Sequence, residues 1–303
     1  MSYILLSLML VGELNPNVGT TGYNFLKIPP TAREAAMGNT GIGLSDHAFA
    51  LWYNPAGLGA ISQRQLGASY ISYLAGVNSG AVAFATPRPI GLGLGIYYVN
   101  GGTMSRIDEN QIPLGTFTPS CLDFNVAGGT RLAARLALGL GVKALYTGID
   151  TFFALGLAAN IGASFDLPVS GLSASLVARN LGITLKPMID TAERLPMEVA
   201  LGFGYRAGTL NLALEAVIPS DNQVAVRAGL DWWLFKYVAV RGGLTTAGSD
   251  LKAGTGGDIL AGLSTGLGIR SPVRQVPIEV DYSFTPMVLL GNVHRVSVRY
   301  TLP

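Results

Sequence analysis

Residues 135–147 have the sequence RLALGLGVKALYT, in which apolar side chains alternate with small or polar ones. Leu138 and Leu140 fall on one face of an extended chain, whereas Gly139 and Gly141 fall on the other. A period of two residues is the mark of a β-strand whose two faces differ. The segment therefore predicts a strand with one oily face and one face of small residues.

The same alternation recurs from residue 63 to the end of the chain, and we count about fourteen segments of this kind. A strand that crosses a membrane at a tilt needs roughly 9–11 residues, and bacterial membrane barrels contain an even number of strands. The segments therefore suit a transmembrane barrel. The predicted strands are 64–74, 76–86, 91–100, 120–130, 135–147, 152–167, 171–180, 195–206, 209–218, 223–234, 236–246, 257–269, 274–284 and 292–302.

The composition favours a membrane protein over a soluble β-sandwich. Only 13% of the 303 residues are charged and 40 are glycine, and the mean hydropathy is +0.41. No run of about 18 apolar residues follows the amino terminus, so membrane-spanning helices are not predicted. A sandwich also alternates, but its outer face is normally rich in charge. We predict an all-β membrane protein, a 14-stranded antiparallel transmembrane β-barrel with a small N-terminal helical plug.

The amino-terminal part differs in character from the barrel. Residues 1–12 include a short apolar core and are a candidate signal peptide, although no basic residue precedes that core. Residues 13–62 are predicted to form the plug, and residues 63–303 the barrel. An alternative for the first twelve residues is a short hydrophobic terminus that packs against the rest of the chain.

Residues 25–58 carry the most specific local pattern, FLKIPPTAREAAMGNTGIGLSDHAFALWYNPAGL. Good helix formers from Ala32 onward end at Gly38, a typical helix terminator. Asp46 is expected to cap a second short helix, and the Asn54-Pro55 step marks a turn. We expect this segment to fill the barrel; the simpler alternative is a helical cap outside it.

This order of elements resembles the PorV/PorQ family, outer-membrane barrels of the FadL-like type that are associated with type IX secretion. The resemblance rests on the Phe-Leu-Lys-Ile start, the alanine-rich helix and the closing Trp-Tyr-Asn-Pro-Ala-Gly-Leu. It assigns the plug motif to Asp46, Trp52, Asn54, Pro55, Ala56, Gly57 and Leu58.

The resemblance implies an accessory or substrate-shuttling component of type IX protein secretion, with a translocon or an exported cargo protein as partner. A FadL-like transporter of hydrophobic small molecules is the second hypothesis. It requires an apolar pocket, for which the candidates are Phe25, Leu26, Ile28, Met37, Phe49 and Leu51. A structural barrel in a surface assembly is the third hypothesis.

Charged residues on the small-residue face are expected to lie in the lumen. Opposite signs alternate between neighbouring strands, which favours pairs that neutralise one another over a polar path for a solute. The predicted lumen network consists of Arg33, Glu34, Glu198, Glu215, Arg227, Arg241, Glu279, Asp281, Arg295 and Arg299.

The connections between strands alternate in length, with long ones such as 101–119 and 183–194 on one side and short ones such as 235–236 on the other. Membrane barrels place long loops outside and short turns in the periplasm. We therefore predict a bacterial outer-membrane location, in contact with outer-membrane lipid, with both termini periplasmic.

The sequence carries no pattern typical of an enzyme. His47 and His294 are the only histidines and Cys121 is the only cysteine. The Gly-x-Gly repeats lie inside strands, not between a strand and a helix as nucleotide-binding loops do. We expect no enzymatic activity, no cofactor, no metal site and no nucleic-acid partner.

Overall fold

A computed structural model describes residues 16–87, 89–247, 261–273, 277–287 and 290–302. Fourteen strands form one closed antiparallel barrel, in which the first strand pairs with the last. Every strand otherwise pairs with its neighbours along the chain, apart from a separate hairpin between the third and fourth barrel strands. The barrel strands are β1 Gln65–Ser72, β2 Asn78–Ala85, β3 Gly91–Asn100, β6 Ser120–Ala133, β7 Leu136–Ile149, β8 Phe152–Asp166, β9 Leu172–Lys186, β10 Glu198–Ala207, β11 Leu210–Pro219, β12 Ala225–Leu234, β13 Val238–Thr245, β14 Leu263–Arg270, β15 Ile278–Pro286 and β16 Asn292–Thr301; the hairpin consists of β4 Met104–Ile107 and β5 Pro113–Phe117.

The predicted alternation follows the wall of the barrel. In β3, Leu94 and Ile96 are 44% and 46% exposed on the outside, whereas Tyr97 is 2% exposed on the inside. A cylinder whose whole outer surface is apolar is stable in the hydrocarbon of a bilayer, where its closed ladder leaves no edge unpaired. The prediction of a 14-stranded transmembrane barrel is confirmed. Among the described residues, no helix is long and apolar enough to cross a membrane.

Several strand boundaries differ from the prediction, and two of them, in β9 and β10, have a structural explanation. The sequence pattern placed Leu195 on the outer face of a strand, but β10 begins only at Glu198 and Leu195 is 2% exposed in the core. The pattern also ended the preceding strand at residue 180, whereas β9 continues to Lys186. The consecutive residues Arg179 and Asn180 are both buried, beside a register shift in the ladder with β8, so the alternation that marks a strand is interrupted there. The parts of the predicted strands at 257–260 and 274–276 lie outside the described residues.

The aromatic pair in β12 divides between the two faces of the wall. Trp232 is 48% exposed on the outside of the barrel. The Trp233 ring is turned inward, with the Arg270 guanidinium carbon 4.0 Å from its centroid.

Residues 21–61, which we call the lumen segment, pack against the inner face of the barrel wall. Two α-helices, α1 Ala32–Ala36 and α2 Ala50–Tyr53, and two 3-10 helices, Asn24–Lys27 and Pro55–Ala60, make up its regular structure. α1 ends at Ala36, and Gly38, with a φ of 72°, follows as the predicted terminator. The predicted cap at Asp46 is wrong, because α2 starts four residues later and no side chain caps it.

Glycines in the wall allow the lumen segment to approach the strand backbone. A β-carbon built on Gly139 of β7 would lie 2.2 Å from the amide nitrogen of Ala56. Such contacts are possible only where the wall residue has no side chain. The small residues on the inner face of the strands therefore mark where the lumen segment packs against the wall.

The two ends of the barrel differ. The long-connection end carries connections 101–119, 187–197 and 220–224, and the short-turn end carries 134–135, 208–209 and 235–237. Thr21 pairs with Arg194 at the long-connection end, whereas Leu302 donates to the Arg64 carbonyl at the short-turn end. The described start of the lumen segment and the described end of the chain therefore lie at opposite ends of the barrel.

Candidate functional site

The lumen segment separates two cavities. The cavity at the long-connection end has a volume of about 230 Å³. Its lining includes the aromatic rings of Trp52, Tyr53 and Tyr97 and the apolar side chains of Leu26 and Ile28, beside several polar and charged groups. We call this space the upper cavity.

The cavity at the short-turn end is larger, about 730 Å³, and more polar. Charged side chains from the lumen segment and the wall line it, among them Arg33, Arg206, Arg270 and Arg299. We call this space the lower cavity. A solute that passed through the barrel would cross from one cavity to the other past the lumen segment.

The candidate pocket residues do not share one cavity. Phe25, Phe49 and Leu51 are buried in the main hydrophobic core, and Met37 packs in a separate small cluster. Leu26 and Ile28 alone among the candidates line the upper cavity. Apolar spacing in the sequence identified side chains that are buried, but most of them pack against the wall instead of bordering free space.

The Asn-Pro turn fixes the lumen segment to the wall. Asn54 is fully buried, and its Nδ2 donates to the carbonyl of Ile42 over 3.0 Å and to Ser164 Oγ over 2.9 Å. Its Oδ1 accepts from the Ala56 amide over 3.1 Å. Pro55, Ala56, Gly57 and Leu58 follow in a buried 3-10 helix.

Asn54→Ala is expected to destabilise the folded barrel by about 2 kcal/mol, because it removes a cap and leaves buried partners unsatisfied. Chemical denaturation followed by tryptophan fluorescence measures the change. Asn78→Ala at the start of β2 serves as the control, since its amide bonds only to the nearby Tyr70 hydroxyl and Gly76 carbonyl. An equal, small effect of the two substitutions would contradict a structural role for the turn.

Arg241 is the centre of a buried charge cluster. Its side chain is fully buried and lies 3.0 Å from Asp231, 2.7 Å from Asp281 and 3.7 Å from Glu279. Arg299 also pairs with Glu279. The predicted network members Arg241, Glu279, Asp281 and Arg299 therefore come together, and Asp231 joins them.

The lumen segment adds its own charges to this cluster. Arg33 lies 3.0 Å from Asp231 and 3.3 Å from Glu34, and His47 Nε2 lies 2.9 Å from Glu34. Burial alone would raise the pKa of the Glu34 carboxyl, but His47, Arg33 and the Thr31 hydroxyl together hold that pKa below its usual range. Glu34 therefore stays ionised, and the charges of the segment and the wall are matched.

Other predicted network members lie apart from the cluster. Glu198 pairs with Arg179 over 2.7 Å, and Glu215 accepts the backbone amides of Gly41 and Ile42 over 2.5 and 2.7 Å. Glu215 is thus an anchor for the lumen segment. A strand pattern shows that such a side chain faces inward, but not which inner group it meets.

Arg227 and Arg295 have backbone partners instead of carboxylates. Arg227 donates to the carbonyl of Asn39 over 3.4 Å, and Arg295 donates to that of Pro29 over 3.3 Å. Both arginines therefore contact the lumen segment, and both lie toward the long-connection end.

Sequence reasoning missed a buried pair beneath the upper cavity. Lys143 Nζ lies 3.6 Å from Asp123 and donates to Asn180 Oδ1 over 2.9 Å. The Trp52 indole donates to Asp123 over 3.1 Å, which ties the plug motif to this pair. Both charges occupy the small-residue faces of adjacent strands, and that alternation was the available signal.

One residue of the plug motif, Asp46, lies away from the upper cavity. Asp46 is exposed at the mouth of the lower cavity, 3.1 Å from Arg206. Nowhere in the described ranges does a group of histidine, cysteine and acidic residues have the arrangement of a metal site.

These features define a class of protein: a 14-stranded transmembrane β-barrel whose amino-terminal segment occupies the lumen between two cavities. No protein-family profile and no curated protein sequence matches the chain.

Solved structures of similar fold do exist. They include the toluene transporter TodX of Pseudomonas putida, with a TM-score of 0.61, 13% identity and coverage of 94% of this chain and 99% of that one. The toluene transporter TbuX of Ralstonia pickettii gives a TM-score of 0.59, 12% identity and coverage of 93% and 98%. A Pseudomonas aeruginosa FadL homologue gives 0.60, 13%, and coverage of 90% and 99%. The chain therefore has the FadL-type fold.

Proposed function

We propose that this chain is a bacterial outer-membrane barrel that admits hydrophobic small molecules. The observation that carries the proposal is the upper cavity, where Trp52, Tyr53 and Tyr97 meet the apolar side chains of Leu26 and Ile28 inside a transmembrane cylinder. Concave sites lined by aromatic and apolar side chains are typical of small-molecule binding. The toluene transporters of the same fold agree with a ligand of this kind.

The orientation in the membrane belongs to the same proposal. Long connections face the exterior in barrels of this type, so the upper cavity would open outward and the lower cavity would open to the periplasm. A hydrophobic molecule from the medium would then enter the upper cavity before the lower cavity. This orientation places the described start of the lumen segment near the outer mouth.

The route onward requires movement of the lumen segment or of the wall. The strand ladder closes around the whole barrel, and its register shifts once between β6 and β7 and twice between β8 and β9, where one of the shifts lies between Ala159 and Ile161. The Asn160 side chain accepts the Asn180 amide there, over 3.0 Å. The wall is therefore sealed in the described state, and passage is gated.

The test is the entry of toluene into cells that carry the protein in their outer membrane. Ala225 is 6% exposed, lines the upper cavity and leaves space that a larger side chain would take. Ala225→Phe is expected to reduce uptake about tenfold, because the substituted ring occupies a large part of the cavity.

Ala228→Phe is the matched control, since Ala228 lies on the outer face of the same strand. It is expected to transport like the parent chain. Equal uptake by cells with and without the barrel, measured at equal surface amounts, would overturn the proposed function.

A second candidate, the type IX accessory role, is favoured by the β4–β5 hairpin. The hairpin lies at the long-connection end and exposes Met104, Ile107, Ile112 and Leu114, each by 46–58%. Apolar side chains outside the barrel wall suit contact with another protein.

Isolation of the intact chain from its native membrane tests this role, with co-purification of a translocon or exported cargo as the supporting result. Recovery of the chain alone would count against it, and recovery of copies of itself or of other surface proteins would favour a structural barrel.

A further inference from the structure

A groove on the outer face of the barrel wall lies near the short-turn end. It crosses β6, β7, β8 and β9 and has a volume of about 790 Å³. Leu132, which lines it, lies just before the 134–135 turn, and the lining residue Thr130 donates to the Pro89 carbonyl over 3.3 Å. We call this depression the wall groove. It faces the membrane leaflet that surrounds the short-turn end.

The wall groove is not filled by the protein. Its lining includes Gly128, Ala163 and Ala178 beside larger apolar side chains. A β-carbon on Gly128 would lie 3.5 Å from Leu92, its nearest neighbour, so the barrel itself does not require a glycine there. The inner Gly139 differs, because the lumen segment occupies the space beside it. An apolar groove that opens to the bilayer suits a hydrocarbon chain.

An arginine without a partner stands at the end of the wall groove. Arg135 is exposed in the turn between β6 and β7, close in sequence to Leu132 and Leu138 of the lining. No carboxylate among the described residues lies within ion-pair distance of its side chain. The Asp166 amide donates to the Arg135 carbonyl, but the Asp166 carboxylate pairs with Arg131 over 2.8 Å. The Arg135 guanidinium can therefore bind an anion at the membrane surface.

The charges at the two ends of the barrel favour an anion at this end. Arg64 and Lys236, like Arg135, are exposed at the short-turn end and have no ion pair within the described ranges. Glu109 and Asp190 are exposed at the long-connection end, where the described part of the chain offers them no cationic partner. Lys and Arg side chains near a membrane surface attract anionic lipids. A negatively charged headgroup is thus favoured beside the wall groove.

We propose that the wall groove and Arg135 bind one anionic phospholipid, with an acyl chain in the groove and the headgroup phosphate on the guanidinium. The planar arginine fork matches the geometry of a phosphate and can donate two parallel hydrogen bonds to it. The inference goes beyond the proposed function, because it requires the barrel to lie in a membrane but not to admit a solute.

Native mass spectrometry of the purified full chain in detergent tests the inference, with phosphatidylglycerol and phosphatidylcholine of the same acyl chains as probes. The two lipids differ in the net charge of the headgroup, so the comparison isolates that charge. Phosphatidylglycerol is expected to bind about fivefold more tightly at one saturable site, which is the gain that one arginine gives near an anionic surface. Equal binding of the two lipids would overturn the charge assignment, and binding of neither would overturn the site.

Arg135→Gln is expected to remove the preference for phosphatidylglycerol. Lys236→Gln is the matched control, because Lys236 is also an exposed cation in a short turn at the same end, but it lies between β12 and β13, away from the wall groove. It should keep the preference. An equal loss in both variants would show that the headgroup responds to the charge of the whole barrel end, and would refute the role of Arg135.

Gly128→Leu tests the wall groove separately from the charge. The new side chain occupies the groove, so both phospholipids are expected to bind at least about tenfold more weakly. Gly242→Leu is the control, since Gly242 lies on the outer face of β13 with nothing within 4 Å of a β-carbon. It should bind both lipids like the parent chain. Gel mobility before and after heating shows whether each variant is folded.

Unchanged lipid binding by a folded Gly128→Leu barrel would overturn the placement of the acyl chain. A dimer of the parent chain that Gly128→Leu abolishes would show that a second copy, and not a lipid, occupies the wall groove. Toluene uptake is a separate readout, since lipid binding can fail while the proposed transport stands, and transport can fail while lipid binding stands.

Discussion

Gly243→Ala is expected to destabilise the folded barrel by about 3 kcal/mol, whereas Gly242→Ala beside it changes the stability little. A β-carbon on Gly243 would lie 1.8 Å from the amide nitrogen of Gly38, and one on Gly242 would meet nothing within 4 Å. The obstructing atoms belong to the backbone of the lumen segment, so a rotamer change cannot relieve the clash. The whole segment must shift, and its contacts along the wall weaken together.

The two glycines are adjacent in β13 and point to opposite faces, which makes them a matched pair. Urea unfolding in detergent or lipid vesicles measures both variants against the parent chain. A similar loss of stability in both variants would mean that alanine destabilises β13 itself, independently of the lumen segment. That result would contradict the conclusion that the inner glycines make room for the lumen segment.

Arg241→Ala is expected to cost about 3–5 kcal/mol of stability, because it leaves Asp231 and Asp281 buried with an uncompensated charge. Both carboxylates lie within 3.0 Å of the guanidinium. Removing one member of a buried cluster costs more than the pair contributed, since the stranded charges cannot reach water. The loss should appear as a lower midpoint of unfolding, or as failure of the protein to reach its heat-resistant form on gels.

The comparison variant is Arg206→Ala. Arg206 and Asp46 are 41% and 49% exposed, so solvent screens their pair and its loss costs about 0–1 kcal/mol. The double substitution Arg241→Met with Asp281→Leu should recover part of the stability, because it removes the stranded carboxylate together with the arginine, while Asp231 keeps its pair with Arg33. A small effect of Arg241→Ala would show that water reaches the cluster.

The sequence predicted the barrel well because a strand in a bilayer wall has to obey a simple rule. Each position such as Leu138 or Gly139 belongs to one of two environments, and their alternation carries over from chain to fold without reference to any distant residue. Where this alternation is interrupted, the predicted strand boundaries are less accurate. β9 continued beyond its predicted end, and Leu195 packed into the core from a connection.

The interior was less predictable, because inner contacts depend on how the strands are staggered around the cylinder. The sequence places Glu215 on the inner face, but only the assembled barrel brings its carboxylate to the amides of Gly41 and Ile42. For the same reason the sequence did not show which apolar candidates border free space, and of the six only Leu26 and Ile28 line the upper cavity. Phe49 and Leu51 are apolar because they pack against the wall, and the free space lies beside other residues.

The function was less predictable from the sequence than the fold was. The motif around Asn54-Pro55 led to the type IX prediction, whereas the structures of similar fold include toluene transporters. The motif itself lies at the contact between the lumen segment and the wall, where Asn54 bonds to Ser164. A motif with that structural role specifies how the lumen segment is held in the barrel and does not specify a cargo.

The seam between β1 and β16 has a consequence for how the chain assembles. Ser297 on the last strand donates to Ser69 on the first over 2.9 Å, and it accepts the Ala32 amide over 2.8 Å. The earliest and the latest parts of the chain therefore meet at a single hydroxyl, across a sequence separation that makes such contacts slow to form. The position of the amino-terminal stretch and the register of the last strand are thus fixed by the same side chain, so a substitution of Ser297 would disturb both at once.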